Sequence, residues 1–289
     1  MIYTLKNEFL TVKIDTAGAE LRSVLGADGT EYMWQRDSRY WGDSAPWLFP
    51  ICSNLDGRFY TYKGEKYEMG SHGFASKCTF VAEGVSDTAL TMVLAASDET
   101  KRIYPFDFLL EITYRLEGNR LSALMLVTNR DNEVMPVAMG GHPGFCVPLG
   151  GDGTFDDWKL VFNAPSAPRT VVFTEDMLDS GERAPYALEG GTTLPLSRGL
   201  FAIDGIFFSD MPSAVTLCSD KSAHAVTVEY GDARYLGVWS ESFGGDFVCV
   251  EPWYGMASRK GVTALEEKSD MIKLAPGAGC EMRMDITFH

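Results

Sequence analysis

Apolar and polar positions along this chain recur with a period of two. They alternate over 9–15 and 89–95, and most clearly over 108–116. There Leu110, Ile112, Tyr114 and Leu116 fall on one side, with Glu111, Thr113 and Arg115 between them. Successive side chains of a strand point to opposite faces, so each segment reads as a half-buried β-strand. Glu117-Gly118-Asn119 supplies a turn and 121–128 runs back, which predicts a hairpin. Further strands are expected over 158–162, 214–218, 225–230, 235–239, 247–250 and 282–288. Turn-forming clusters at Ala27-Asp28-Gly29, Tyr62-Lys63-Gly64 and Ser219-Asp220-Lys221 separate them. Helical stripes with caps are scarce, and only 174–178 and 264–268 suggest a turn or two of helix. Short strands at close spacing predict an all-β fold, a large antiparallel β-sandwich with few short helices. No fixed-period repeat or linker-like tract divides the chain, and Gly150-Gly151-Asp152-Gly153 is flanked by strands of one style. One domain over 1–289 is expected.

Composition narrows the choice of partners. The chain has 289 residues, 25 Lys+Arg against 40 Asp+Glu, and a formal net charge of −15. That field repels phosphate backbones and anionic lipid, so neither nucleic acid nor membrane is expected as a partner. It also disfavours a phosphorylated ligand unless basic residues converge locally. The six cysteines stand singly with no CxxC spacing, and Cys218 and Cys249 lie in apolar runs where a reduced thiol packs as a small hydrophobe. The uncharged stretch 134–151 is interrupted by Pro136, Pro143 and Pro148, which rules it out as a spanning helix. The N-terminal residues lack a basic segment followed by an apolar one, and a cytoplasmic location is expected.

Serine-hydrolase, nucleotide-binding and common zinc motifs are absent, which leaves single residues to weigh. His72, in Gly70-Ser71-His72-Gly73-Phe74-Ala75, and His142, in Gly140-Gly141-His142-Pro143-Gly144-Phe145, share a setting. Glycines let backbone approach a ligand closely, and an aromatic residue follows to wall a pocket. Either histidine alone reads as readily as a half-buried loop residue bonded to a carbonyl. Glu251 ends the apolar run Phe247-Val248-Cys249-Val250 beside Pro252-Trp253, where burial would raise its pKa; the competing reading is an edge glutamate reaching solvent. His142 and Glu251 each precede proline, which holds the backbone extended and stiffens the stem of the side chain. Arg58 could clamp a polar ligand or simply pair with Asp56 or Glu65 at the surface. Asp204 is either a ligand for hydroxyl groups or an Asp-Gly turn residue. Trp34, Trp41, Trp47, Trp239 and Trp253 could each offer a flat face to a sugar ring or pack in the core.

Taken in order, several short stretches resemble the aldose 1-epimerase (galactose mutarotase-like) family, in its shorter, divergent bacterial subgroup. They are Gly18-Ala19-Glu20-Leu21, Tyr32-Met33-Trp34-Gln35, Tyr40-Trp41, Pro46-Trp47-Leu48-Phe49-Pro50, His72-Gly73-Phe74-Ala75, Tyr104-Pro105-Phe106, Gly141-His142-Pro143-Gly144-Phe145 and Glu251-Pro252-Trp253. Each is weak alone, and the ordered set spans essentially the whole chain. The resemblance implies a large antiparallel β-sandwich, in agreement with the period-two pattern. It implies Glu251 as general base, His142 as general acid and His72 as a second histidine near the sugar ring oxygen. Arg58 and Asp204 would hold ring oxygen and hydroxyl groups, and Trp253 would bind substrate. A small-molecule sugar is the implied partner, with no metal or organic cofactor.

One departure bears on the substrate. Relatives of this type often carry arginine where Ser76 stands; here Ser76-Lys77 follows His-Gly-Phe-Ala. Together with the charge of −15 this favours a neutral free aldose, while Lys77 keeps a hexose-6-phosphate mutarotase in play. A non-catalytic carbohydrate-binding or sensing protein would use the same binding residues. Anomer exchange needs an ionised Glu251 and a protonated His142 together, so a bell-shaped pH profile is expected, with the carboxylate favouring the charged imidazole.

Overall fold

The computed structural model describes residues 1–289. Two large antiparallel sheets face each other across one apolar core. The nine-stranded sheet runs in the order Thr193–Pro195, Trp158–Phe162, Ala214–Ser219, Val226–Glu229, Gly279–Phe288, Arg120–Asn129, Phe108–Glu117, Ala89–Ala95, Val81–Glu83. Its centre is the predicted hairpin, with Glu117 opposite Arg120 across the Gly118-Asn119 turn. Leu110, Ile112, Tyr114 and Leu116 are buried as the alternation requires, and the polar residues between them are more exposed. Gly118 has φ 56, the left-handed conformation that glycine adopts without strain.

The second sheet carries the chemistry. It runs Asp179–Pro185, Arg169–Phe173, Ile206–Ser209, Tyr235–Trp239, Phe247–Trp253, Gly140–Gly141, Trp47–Leu48, and the short strand Gly144–Cys146 also pairs with Phe247–Trp253. Every residue of Phe247–Trp253 is buried, so this strand lies in the interior of the sheet and its apolar run follows. Trp47 and Tyr114 tie the two sheets together: the indole Nε1–H donates to the Tyr114 hydroxyl at 2.8 Å, and that hydroxyl donates to Ala19 O at 2.8 Å. A separate three-stranded sheet, Ile2–Lys6, Leu10–Asp15 and Glu20–Gly26, adds its apolar side to the same core.

Helix is limited to Asp98–Lys101 and a few 3₁₀ turns. Sequence reading missed Asp98–Lys101 because four residues carry no periodic stripe; its signal is the capping box formed by Ser97 and Thr100. The helical turn expected at 264–268 is a 3₁₀ turn, Leu265–Glu267. The one expected at 174–178 is not helical. Met177 there takes φ 58, and the Thr174 hydroxyl accepts the Leu178 N–H at 3.2 Å, so the segment closes as a turn. All six cysteines are free, and no helix is long and apolar enough to cross a membrane.

Candidate active site

The ladder on one side of Phe247–Trp253 is broken in two. Gly140 pairs with Trp253 and Gly144 with Cys249, leaving His142 and Pro143 in the gap opposite Val250 and Glu251. Pro143 O accepts the Val250 N–H at 3.1 Å, and the His142 N–H goes to Pro46 O at 3.1 Å. These bonds fix the imidazole beside the carboxylate, with His142 Nε2 3.1 Å from Glu251 Oε2. On the other side of the strand, Gly237 stands opposite Glu251, and a Cβ on it would lie 3.2 Å from the Glu251 Cβ and 2.6 Å from the Phe207 ring. Glycine is required there because the neighbouring strand leaves no room for a methyl group.

His72 is brought in by a tight turn. Its φ is 62; its N–H donates to Ser53 O at 2.9 Å, and its carbonyl accepts from Phe49 at 3.2 Å. Gly73 follows with φ 77, and a Cβ on it would fall 2.1 Å from Phe49 O. The Ser53 backbone N–H donates to His72 Nδ1 at 3.1 Å. Nδ1 is therefore an acceptor, which fixes the neutral tautomer with its proton on Nε2. Burial pushes this imidazole down to about 4, so it remains an uncharged donor at neutral pH.

His72, His142 and Glu251 share one hollow of about 400 Å³ with Asp204, Trp253, Trp41 and Trp239. Trp41 stacks on His142 with centroids 5.0 Å apart, and the His72 ring meets the His142 ring edge-on at 5.7 Å. Trp253 packs between Phe207 and His72. Both Glu251 oxygens, His142 Nδ1 and Trp253 Nε1 are buried without a well-formed hydrogen bond. Buried polar groups normally find partners, so these groups give the hollow an unfilled capacity for hydrogen bonds.

Burial dominates the electrostatics. It pushes Glu251 well above the usual carboxylate range, aided by the charge of Asp204 and opposed by the Trp253 indole N–H. It pushes His142 well below the usual histidine range, with His72 adding to the effect. Sequence reasoning expected the carboxylate to raise His142; desolvation of the imidazole outweighs that attraction. Burial thus disfavours the charged form of both groups. Cys249 Sγ joins the His142 and Glu251 donor atoms within 4.8 Å, a set of ligand types that zinc accepts. Burial and Glu251 hold that thiol well above its ordinary range, which opposes the thiolate a metal would need.

Five of the six expected site residues come together in the hollow. Asp204 lines the hollow, and its Oδ1 accepts the Gly205 N–H at 2.8 Å in an Asp-Gly turn. Arg58 does not join them. It is exposed, in a 3₁₀ turn where Gly57 (φ 66) and Arg58 (φ 58) are both left-handed and carry the chain into Phe59–Tyr62. Four positions earlier Asn54 lines the hollow with its Oδ1 buried and unpaired, a residue passed over because charge drew notice to Arg58. Asp43 and Glu241 also line it without any sequence motif to announce them. Of the remaining tryptophans, Trp47 is core and Trp34 Nε1 donates to Trp41 O at 2.8 Å, bracing the stacking residue.

The two packed antiparallel sheets thus bring two histidines and a glutamate to one hollow of about 400 Å³. The chain belongs to the aldose 1-epimerase family, whose family model, described as Aldose 1-epimerase, matches residues 1–277. It is 35% identical to the chromosomal protein LacX of Lactococcus lactis subsp. lactis over 298 residues, 99% of each chain. A galactose mutarotase related enzyme from Lactobacillus acidophilus superposes with TM-score 0.94 at 34% identity, covering 100% of this chain and 97% of that one. A galactose mutarotase-like protein from Lactobacillus casei does so with TM-score 0.94 at 30% identity, covering both chains fully.

Proposed function

We propose that this protein is a mutarotase that interconverts the α and β anomers of a free, unphosphorylated aldose by opening and reclosing the ring. The observation that carries this reading is the His142–Glu251 pair, 3.1 Å apart and buried at the wall of the hollow. Ring opening takes a proton from the hydroxyl on C1 and gives one to the ring oxygen. Both oxygens are bonded to C1, so acid and base must sit within a few ångströms of each other, as these two do. A pair holding one proton has one donor and one acceptor, the minimum the reaction needs, and closing reverses their roles.

Glu251 takes the proton of the anomeric hydroxyl and His142 protonates the ring oxygen. Substrate hydroxyls supply the hydrogen bonds that the buried carboxylate lacks, which favours its ionised form and moves its proton to the imidazole. His72 donates its Nε2 proton to the substrate, holding an oxygen in place without itself changing charge. After the C1–O5 bond breaks, rotation about C1–C2 presents the other aldehyde face, and the ring closes to the opposite anomer. Asp204 and Asn54 accept or donate to sugar hydroxyls, and Trp253 and Trp41 flank the ring.

Polarimetry on freshly dissolved α-D-glucose and α-D-galactose tests the reading: rotation should reach equilibrium faster in proportion to the protein added. Binding of the sugar without faster mutarotation would instead make this a carbohydrate-binding protein. Lys77 at the edge of the hollow supports the hexose-6-phosphate alternative, and faster turnover of glucose 6-phosphate than of glucose would favour it.

A further inference from the structure

The charges around the hollow do not balance. Asp43, Asp204 and Glu241 line it, beside a Glu251 whose charged form burial disfavours, against Lys77 alone, and Lys77 is exposed. The two histidines do not offset the excess, since burial holds both in their neutral forms near pH 7. Asp204 and Glu241 line the same hollow, and burial, with the charge of Asp204 added, raises the Glu241 carboxyl. Their only close hydrogen-bond donor is the Gly205 N–H on Asp204 Oδ1. The cation beside Glu241 is Arg198, and it is spent elsewhere. Its guanidinium donates to Ser240 Oγ and to the carbonyls of Glu241, Gly244 and Gly245, lies 3.6 Å from Asp246, and stacks on Phe155 at 3.7 Å. Arg198 thus pins the loop that carries Glu241 without neutralising its carboxylate.

Like charges held together without a cation are an unfavourable arrangement for a protein alone. They become favourable when a ligand brings the opposite charge into a partly desolvated site. That the site takes a polar ligand has independent support in the fully buried Glu251 and Trp253 side chains, whose Oε1 and Nε1 make no well-formed hydrogen bond at the same hollow. We propose that the hollow prefers a positively charged sugar, an aldose bearing a protonated amine whose ammonium sits between Asp204 and Glu241. This rests on the mutarotase reading and narrows its substrate class.

Calorimetric titration with methyl glycosides tests it, because these cannot open their rings and report binding apart from turnover. The probes are the methyl glucosides of D-glucose, 2-amino-2-deoxy-D-glucose and 6-amino-6-deoxy-D-glucose at a pH where the amines are charged. One of the amino glycosides should bind roughly tenfold more tightly than the glucoside at low salt. That ratio should fall toward one in about 1 M salt, where screening is nearly complete, and in Glu241→Gln, while Glu241→Asp retains it. Equal binding of all three, or a preference unmoved by Glu241→Gln, overturns the charge inference and leaves the mutarotase reading standing. Failure of every glycoside to bind overturns the charge inference, and the mutarotase reading then rests on the polarimetry of the free sugars.

Discussion

A carboxyl group kept in the interior without well-formed hydrogen bonds is unfavourable by several kcal/mol if ionised, so burial favours a proton on Glu251. The consequence is a protonation window set by burial. Below the lowered pKa of His142 the pair gains a second proton and loses its base. Above the raised pKa of Glu251 it loses that proton and with it the acid. The profile of kcat/KM should be a bell whose acid limb lies below the ordinary histidine value of about 6.5; a limb at or above it would show that the carboxylate, not burial, controls the imidazole. His72 makes a separate prediction about stability. Its folded pKa of about 4 lies below the ordinary 6.5, so between these values the unfolded chain binds a proton that the native one does not. Stability is therefore fully present above about pH 6.5 and falls as the pH drops toward 4. Thermal melts should show this decline, and it should be shallower in His72→Asn. The sequence singled these three residues out by their glycine or proline neighbours, left a structural reading open for each, and gave them roles only through the family resemblance. Their protonation was not legible there, since it depends on how completely other strands cover them.

At the level of elements, the site depends on places where the backbone passes closer to its neighbours than a side chain allows. Gly73→Ala would force a methyl group onto Phe49 O in a left-handed residue, displacing the turn that aims His72. Both melting temperature and kcat should drop, and unchanged activity would show that the His72 turn does not need this approach. Tyr114→Phe probes the tie between the sheets. It removes the acceptor for Trp47 Nε1 and the donor to Ala19 O, leaving both buried groups unpaired at a cost of about 1–3 kcal/mol. A melting temperature unaltered by this change would contradict it. Strands such as Ala89–Ala95 and Trp158–Phe162 were readable to the residue because one face of each is core and alternation follows. The break in the ladder at His142 was not readable. It is a property of pairing between distant segments, and Pro143 gave only a hint of it. Arg58 was misread for a related reason, since two left-handed residues in a row send it to the surface.

For the whole molecule, the net charge of −15 sets a background that the hollow shares and concentrates. The sequence showed the excess of acid but not where it gathers, because Asp43, Asp204 and Glu241 come from loops whose convergence the fold alone decides. The apolar core spans both sheets and continues into the walls of the hollow through Trp253 and Phe207. A sugar that fills this space is expected to stabilise the entire sandwich, by roughly 2.7 kcal/mol when present at about a hundred times its dissociation constant. A rise in melting temperature with α-D-glucose or α-D-galactose, absent with a polyol of equal concentration, would register it.

The claim on which the rest depends is that Glu251 and His142 move the protons. Glu251→Gln preserves the shape and burial of the side chain and removes only its ability to accept a proton. In a polarimetric assay on α-D-glucose or α-D-galactose, its kcat should fall by about 10²- to 10⁴-fold with an unchanged circular dichroism spectrum. Mutarotation by this variant within a few-fold of the wild-type rate would contradict the assignment outright.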